Sequence, residues 1–471
     1  MNVLLFNPPG PEGRAFIREG RCTQESGAWA AQWPPVSLAT AAALLEEDCH
    51  RVRVIDFPAS GGELSRLSAI LKEDRPDAAI WSTGTPSLTF DLSLAALVKK
   101  EAPGALTGVI GTHVTAMPDE ALRQPGLDAV IRGEPEGIIR NLCRHAGGQC
   151  ARDWHDVKGL SWRDRLDGRI HHNEAEDCLD PGQIPEPAWH CLDISPYRLP
   201  LKGRPFLIIA PVRGCPFHCS FCTAPVYYGH RLRKRPIDRV IAEIEGNVAR
   251  FGIREFFIWA DTFTADLDYV RRFCRAILER GIRITWTCNG RVDRIDAETL
   301  ALMRAAGLWM ISFGLESGDD DILARSGKQI TVAQSRAAVA MAHAAGLRVA
   351  GHFILGLPGE TEKTLAKTLR LALDMPLDIA QFYAAAPFPG TPLYEEALRE
   401  GWLKENPPGS QSHAVMHLPG LPPETVDRCR RQAYRQFYAR PKTILNIAGM
   451  MEWGAFSSLI ANGRRFLRWT K

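Results

Sequence analysis

The sequence predicts an α/β protein: a doubly wound, Rossmann-like parallel sheet at the N-terminus, a partial (β/α)6 barrel of TIM type behind it, and a helical C-terminal extension. Three observations carry this. Short apolar runs alternate with helical stretches over residues 1–145 and again over 201–405. A proline-rich connector, 146–200, separates the two. From 406 to 471 the pattern is mainly helical. Strand–helix alternation argues for parallel sheets covered by helices. At 471 residues the chain is too long for one ordinary domain and fits two or three.

In the first stretch, Val3 to Phe6, Arg51 to Asp56, Ala78 to Ser82, Thr107 to Ile110 and Ala129 to Ile131 read as strands. Ser37 to Leu45, Glu63 to Glu73, Leu88 to Lys100 and Asp119 to Arg123 read as helices between them. Ligands of such sheets lie beyond the carboxyl ends of strands. Those ends carry Asn7-Pro8-Pro9, Ser82-Thr83-Gly84-Thr85 and Gly111-Thr112-His113-Val114-Thr115. Small and hydroxyl residues there admit a ligand close to the backbone, and they serve equally as ordinary turns. In the connector, Asp167-Gly168 between Trp162 and Ile170 is a hairpin turn, and prolines follow at 181, 185, 187 and 196. The third stretch offers six strands: Phe206 to Pro211, Glu255 to Trp259, Arg283 to Thr287, Trp309 to Leu315, Arg348 to Leu355 and Ile379 to Ala384. Five helical patterns separate them, from Ile237–Phe251 to Glu362–Asp374. In such barrels the chemistry sits at the C-terminal ends of the strands.

Apolar residues make up 45% and charged residues 24%, as in a soluble globular protein. With 57 basic and 54 acidic residues the net charge is +3, so a nucleic-acid partner is not expected. Met1 to Pro9 has no charged start, long apolar stretch or small-residue cleavage site, and reads as a buried strand, not a signal peptide. No apolar run approaches the ~18 residues needed to span a bilayer. The twelve cysteines mostly lie singly. Without a secretion signal they point to reduced thiols and a cytoplasmic setting instead of disulfides.

The densest chemical signal is Cys215-Pro216-Phe217-His218-Cys219-Ser220-Phe221-Cys222, just after the first barrel strand. Thiolates so closely spaced can wrap an iron–sulfur cluster. Three of them leave one iron open for a substrate or cofactor. A zinc site usually wants four ligands, and His218 is the candidate fourth. It adjoins Cys219, however, and such neighbours rarely both ligate.

The C-x3-C-x2-C spacing, with Phe221 before the last cysteine, resembles the radical S-adenosylmethionine (SAM) superfamily. Further segments resemble it in order. Ile258 to Thr264 matches the segment after the second strand, although Asp261 and Thr262 stand where many members have Gly-Gly-Glu. Trp286 to Asp293, with Arg291, matches the third strand, and Ile311 to Gly318, with Glu316, the fourth. Gly351 to Glu360, with Gly356 and Pro358, matches the fifth, and Pro387 to Tyr394 a late motif. The resemblance implies a [4Fe–4S] cluster on Cys215, Cys219 and Cys222. It implies SAM contacts from Asp261, Thr262, Arg291, Glu316, Gly356 and Pro358. It also implies a flavodoxin- or ferredoxin-type electron donor. The chemistry implied is reductive cleavage of SAM to a 5′-deoxyadenosyl radical that takes hydrogen from a substrate.

Asn7-Pro8-Pro9, Trp33 to Ala39, Gly111-Thr112-His113 and Ile131 to Glu136 resemble the cobalamin-binding domain fused to many such enzymes. That implies cobalamin near Thr83, Gly84, Gly111 and His113. The Asp-x-His-x-x-Gly loop of mutases is missing: Asp56-Phe57-Pro58 stands near its place without the histidine. The implied function is modification of an unactivated carbon in a small molecule, first by methyl transfer and second by ring closure. Three further readings stay open: a first domain that is only structural or binds substrate, a non-enzymatic cluster-bearing sensor, and a structural zinc protein.

In the tail, Ile444, Ile447, Ala448, Met451, Ala455 and Leu459 share one helical face. Arg464, Arg465, Arg468 and Lys471 follow among Phe466, Leu467 and Trp469. Packing on the barrel is the preferred expectation. The other is peripheral contact with a membrane, which would suit a hydrophobic or lipid-like substrate.

Overall fold

The computed structural model describes the chain except residues 12–13, 20–21, 26–31, 148–153, 165–166, 405–410, 453 and 456–471. The first domain contains β1 (Asn2–Asn7), β2 (Phe16–Glu19), β3 (Cys22–Glu25), β4 (Arg51–Asp56), β5 (Ala78–Ser82), β6 (Leu106–Ile110), β7 (Ala129–Ile131), β8 (Leu160–Arg163) and β9 (Ile170–His172). Seven of these form one sheet in the order β4-β1-β5-β6-β7-β8-β9. The first five run parallel. β7 to β9 pair antiparallel. The strands are apolar on both faces because helices cover both, and each face has its own core. The hairpin expected around Asp167-Gly168 forms, with Gly168 at φ 73°. It extends this sheet through β8 and β9.

The second domain is a six-stranded, wholly parallel sheet. After the two-strand ribbon pieces β11 (Val212–Arg213) and β12 (Arg233–Lys234) are set aside, its order is β10 (Phe206–Ile209), β13 (Glu255–Ile258), β14 (Thr285–Gly290), β15 (Leu308–Glu316), β16 (Arg348–Leu355) and β17 (Ile379–Ala384). β14 runs three residues further than its apolar run suggested, carrying Cys288-Asn289-Gly290 to the mouth. Helices cover the outer face. Several start on a side-chain cap: Asp266, Asp296, Asp319, Thr331, Thr361 and Thr391 each accept a backbone N–H of the first turn.

The C-terminal helices pack on the barrel. Helix Pro423–Tyr438 caps the edge strand β17: the Phe382 amide donates to Tyr434 Oη (3.1 Å), and Tyr438 Oη donates to the Ala380 carbonyl (2.8 Å). That removes unpaired edge groups. Helix Pro441–Met450 places Met450 and Ile447 with Leu201, Ala350 and Ile379 under the barrel. Ile447 and Met451 of the expected apolar face are therefore used, while Ile444 is 54% exposed. Leu459 and the basic cluster Arg464, Arg465, Arg468 and Lys471 lie outside the described residues. No helix among the described residues is long and apolar enough to cross a membrane.

Candidate active site

The three motif cysteines sit on a loop at the mouth of the barrel, and main-chain bonds tie that loop to three neighbours. The Gly214 amide donates to Asp261 Oδ2 (3.2 Å), the Ser220 amide to the Ser326 carbonyl (2.9 Å), and the Leu393 amide to the Ser220 carbonyl (2.9 Å). Gly214 has φ 83°, and a Cβ there would lie 2.2 Å from the Arg231 carbonyl oxygen, so only glycine starts this loop. Cys215 is 7% exposed with Sγ 3.4 Å from Thr262 Oγ1. Cys219 and Cys222 are half-buried. Among the described residues, the three sulfurs are not gathered within 4.8 Å of one another, as a single ion would need. His218 stacks on His230 with ring centroids 4.5 Å apart. The donor set and its width suit a cluster better than zinc.

Two cations stand beside these thiols. Arg291 lies over the Phe217 ring at 3.7 Å, with Nη1 4.0 Å from Cys219 Sγ. Its other bonds go to Asp293 and the Lys328 carbonyl. Lys328 donates to Glu316 Oε1 at 2.6 Å, and both are nearly buried. Burial pushes the Cys219 thiol up, and Lys328 and Arg291 oppose this. Glu316 ends β15 at φ 58°, where the pairing with β16 shifts register. A non-glycine residue held there is strained, and such strain clusters at functional sites. Gly314 makes room for the pair: a Cβ would lie 2.4 Å from Glu316 Oε1 and 2.7 Å from Lys328 Nζ.

After β16 the loop Gly356–Glu360 folds on itself. Glu360 accepts the Gly356 and Leu357 amides at 2.5 and 3.0 Å, and burial raises its carboxyl to about 8. Gly356, at φ 86°, faces Val426, and Pro358 is buried beside it. The Gly356 amide is therefore already used within the loop.

In the first domain the strand order reverses between β1 and β5, which places a crevice at their carboxyl ends. Asn7, Thr83, Gly84, Gly111 and His113 lie at or just beyond the carboxyl ends of β1, β5 and β6. Gly111, at φ 144°, lets the loops after β5 and β6 touch, since a Cβ would lie 2.2 Å from the Thr83 carbonyl oxygen. Gly84 opens the short turn Thr85–Ser87. His113 has both ring nitrogens occupied, by Thr85 Oγ1 (3.1 Å) and Glu120 Oε2 (3.4 Å). Asp56 is held by Asn7 Nδ2 and by Tyr197 Oη, which donates at 2.9 Å. Asn7 Oδ1 is buried without a partner, an open contact in the crevice.

This crevice faces the barrel mouth. Ala116 lies close enough to Gly390 that a Cβ on the latter would come 2.9 Å from it. Arg213, directly before the cluster loop, pairs with Glu134 and, at 2.8 Å, with Glu136 of the first domain. Arg233 joins Glu134 at 2.7 Å. Glu19 lies within the field of this group, bonded to Ser37 Oγ at 2.6 Å, and burial lifts it to about 8. A carboxyl raised in the fold stabilises it below the ordinary value of 4.5 and loses that contribution as pH climbs toward 8. Relative to Glu19→Gln, the wild type is expected to lose about 1.4 kcal/mol of stability per pH unit across this window. Denaturant midpoints at several pH values check this, and a constant difference between the two proteins contradicts it.

The sequence model of the Radical SAM superfamily matches residues 209–372, and that of the B12 binding domain matches residues 28–143. An uncharacterised methyltransferase of Pyrococcus horikoshii is 32% identical over 88% of this chain and 89% of its own length. The chain belongs to the radical SAM superfamily, with a B12-binding domain ahead of the barrel. An anaerobic magnesium-protoporphyrin IX monomethyl ester cyclase of Cereibacter sphaeroides is 30% identical over 84% of this chain and 63% of its own length. The solved structure of the radical SAM methyltransferase TsrM from Kitasatospora setae, with cobalamin and a [4Fe–4S] cluster bound, superposes with TM-score 0.70 at 17% identity. That superposition covers 96% of this chain and 89% of the other.

The cofactors of this radical SAM enzyme are thus a [4Fe–4S] cluster, SAM and cobalamin. Three features of the site escaped the sequence reading. Lys328 gives no local signal beyond its place twelve residues after Glu316. Arg213 was legible only as the neighbour of Gly214-Cys215. The hairpin β2–β3 brings Arg18 to the crevice, where it bonds the Pro8 carbonyl and Asp91, each at 2.8 to 2.9 Å.

Proposed function

We propose that this enzyme transfers a methyl group to an unactivated carbon of a small molecule, with its cluster held by Cys215, Cys219 and Cys222. The observation that carries this is the opposition of the three-thiol loop to the crevice of the B12-binding domain, fixed by the Arg213 clamp. When bound, the cluster supplies the electron that cleaves SAM, and cobalamin supplies the methyl carrier.

The chain's own groups have distinct tasks. Asp261 and Thr262 hold the base of the cluster loop. Lys328 offers an ammonium to the SAM carboxylate, and Glu316 a carboxylate to its amino or ribose groups. Arg291 steadies Cys219 and Phe217. Gly356 and Pro358 form a flat wall for the adenine. Thr83, Gly84 and Gly111 let the corrin approach the strand ends. His113, with its ring nitrogens on Thr85 and Glu120, would shape the wall of the crevice against the corrin. A flavodoxin- or ferredoxin-type donor supplies electrons in the cytoplasm. The match with a methyltransferase over nearly all of both chains supports methyl transfer over ring closure.

Lys328→Met is expected to weaken SAM binding about 10- to 100-fold, since charge-assisted hydrogen bonds contribute roughly 1.5–3 kcal/mol. Glu316→Gln should act in the same direction with iron content unchanged. Equilibrium dialysis with SAM checks both, and unaltered affinity would remove these residues from the SAM site. The function itself is tested by anaerobic turnover of the reconstituted protein with reductant and SAM. Formation of 5′-deoxyadenosine together with S-adenosylhomocysteine supports methyl transfer, and 5′-deoxyadenosine alone supports ring closure.

A further inference from the structure

We propose that the barrel takes a planar, conjugated ring compound with a hydrogen-bond acceptor at its edge, held between an aromatic wall (Trp33, Phe257 and Trp259) and a polar wall (His352, Gln381 and Tyr383). This deepens the reading above, because it names the substrate class of the same site.

Side chains alternate faces along a strand. Residues such as Phe256, Ile258, Ile311, Phe313 and Phe353 are fully buried in the core beneath the helices. The opposite parity therefore points into the barrel. There Phe257, Asn289, Gly314, His352, Gln381 and Tyr383 are only half-buried between buried neighbours. The floor below them is closed by Met450, Leu201 and the Lys202–Glu255 pair. The result is a chamber that opens toward the cluster loop.

Trp33 reaches this chamber from the first domain. Its ring meets Phe257 at 4.8 Å and Trp259 at 4.7 Å, both edge to face. Trp33 and Phe257 stay half-exposed in the barrel, so the chain leaves aromatic surface uncovered there. Trp259 is 4% exposed, and its indole N–H has no acceptor among the described residues. A buried donor without a partner is destabilising, and an acceptor on a ligand would satisfy it. Across the chamber Gly314, His352 and Gln381 are in register, so the polar wall begins beside Glu316. Tyr383 stacks on His352 at 5.9 Å with an interplanar angle of 11°. Neither wall carries a Lys, Arg, Asp or Glu, and Arg291 at the mouth is already paired with Asp293. The chamber is thus built for a flat, weakly charged ring and not for a polyanion.

The test uses reconstituted holoenzyme and two probes of one skeleton, 2-naphthoate and decahydro-2-naphthoate, in equilibrium dialysis. The flat ring is expected to bind about tenfold tighter than the saturated one, the size of one aromatic pairing. Trp33→Ala should shrink that preference at least about threefold, and Trp259→Phe should weaken both probes, which share the acceptor, at least about threefold, each at unchanged iron content. Equal binding of the two probes, or a preference intact in Trp33→Ala together with unchanged affinity in Trp259→Phe, overturns the proposal. Trp259→Phe keeps the ring and loses only the N–H, so it remains informative if Trp33→Ala misfolds. SAM cleavage is followed in the same preparation. A preference without cleavage would sink the radical reading and leave the ring proposal standing.

Discussion

Replacing Cys215, Cys219 or Cys222 with alanine is expected to abolish reductive SAM cleavage and remove most of the iron. Each supplies a thiolate to the same loop, and the loop offers no substitute donor, since His218 is stacked on His230. The loss should exceed the roughly 10- to 100-fold that removal of an outer partner costs a metal site. Asp261→Asn and Arg291→Leu, which act on the loop from outside, should fall within that smaller range. Cys274→Ala is the control. That thiol is buried in the core away from the loop, and burial pushes it up to about 12, so iron should be retained. Iron assay and anaerobic 5′-deoxyadenosine formation check the set. Any one motif variant with wild-type iron and cleavage defeats the cluster assignment.

Arg213→Met should destabilise the junction between the domains by about 3–5 kcal/mol, because it strands the buried Glu136 carboxylate and leaves Glu134 with Arg233 alone. Arg213 is 6% exposed at its side chain, Glu134 3% and Glu136 0%. The double variant Arg213→Met/Glu136→Gln removes the buried pair together, keeps Glu134 on Arg233, and should regain much of the loss. Chemical denaturation measures both. A single variant as stable as the wild type, or a double variant no better than the single, contradicts the clamp. Because Arg213 leads directly into Gly214-Cys215, the single variant should also lower corrinoid and iron retention together.

The sequence made the architecture legible because periodicity reports burial. The apolar runs of β1, β5 and β6 are covered on both faces and those of β15 and β16 on the face under the helices, and they stand out against amphipathic helices. It also showed the cysteine loop and Glu316, since spacing and order carry that information. Other features depend on contacts that no local pattern encodes. Lys328 matters only because the turn after Asp320–Arg325 folds back onto Glu316. Arg213 matters only because residues 134 and 136 of another domain meet it. Trp33 reads as a loop residue until the structure places it against Phe257 and Trp259. Asp261 could be located from the motif, but its bond from the Gly214 amide could not. The hairpin of β8 and β9 has a turn that sequence identifies and a sheet partner that it does not. His113 reads as a corrin contact by position, and its bonds to Thr85 and Glu120 appear only in three dimensions.

The most direct test of the whole account is cofactor content. Protein produced with cobalamin, purified without oxygen and reconstituted should hold about four irons and close to one corrinoid per chain. The variant lacking Cys215, Cys219 and Cys222 should lose the iron and keep the corrinoid. Iron unchanged in that variant, or no corrinoid in the wild type, would contradict a cobalamin-dependent radical SAM enzyme built on these residues.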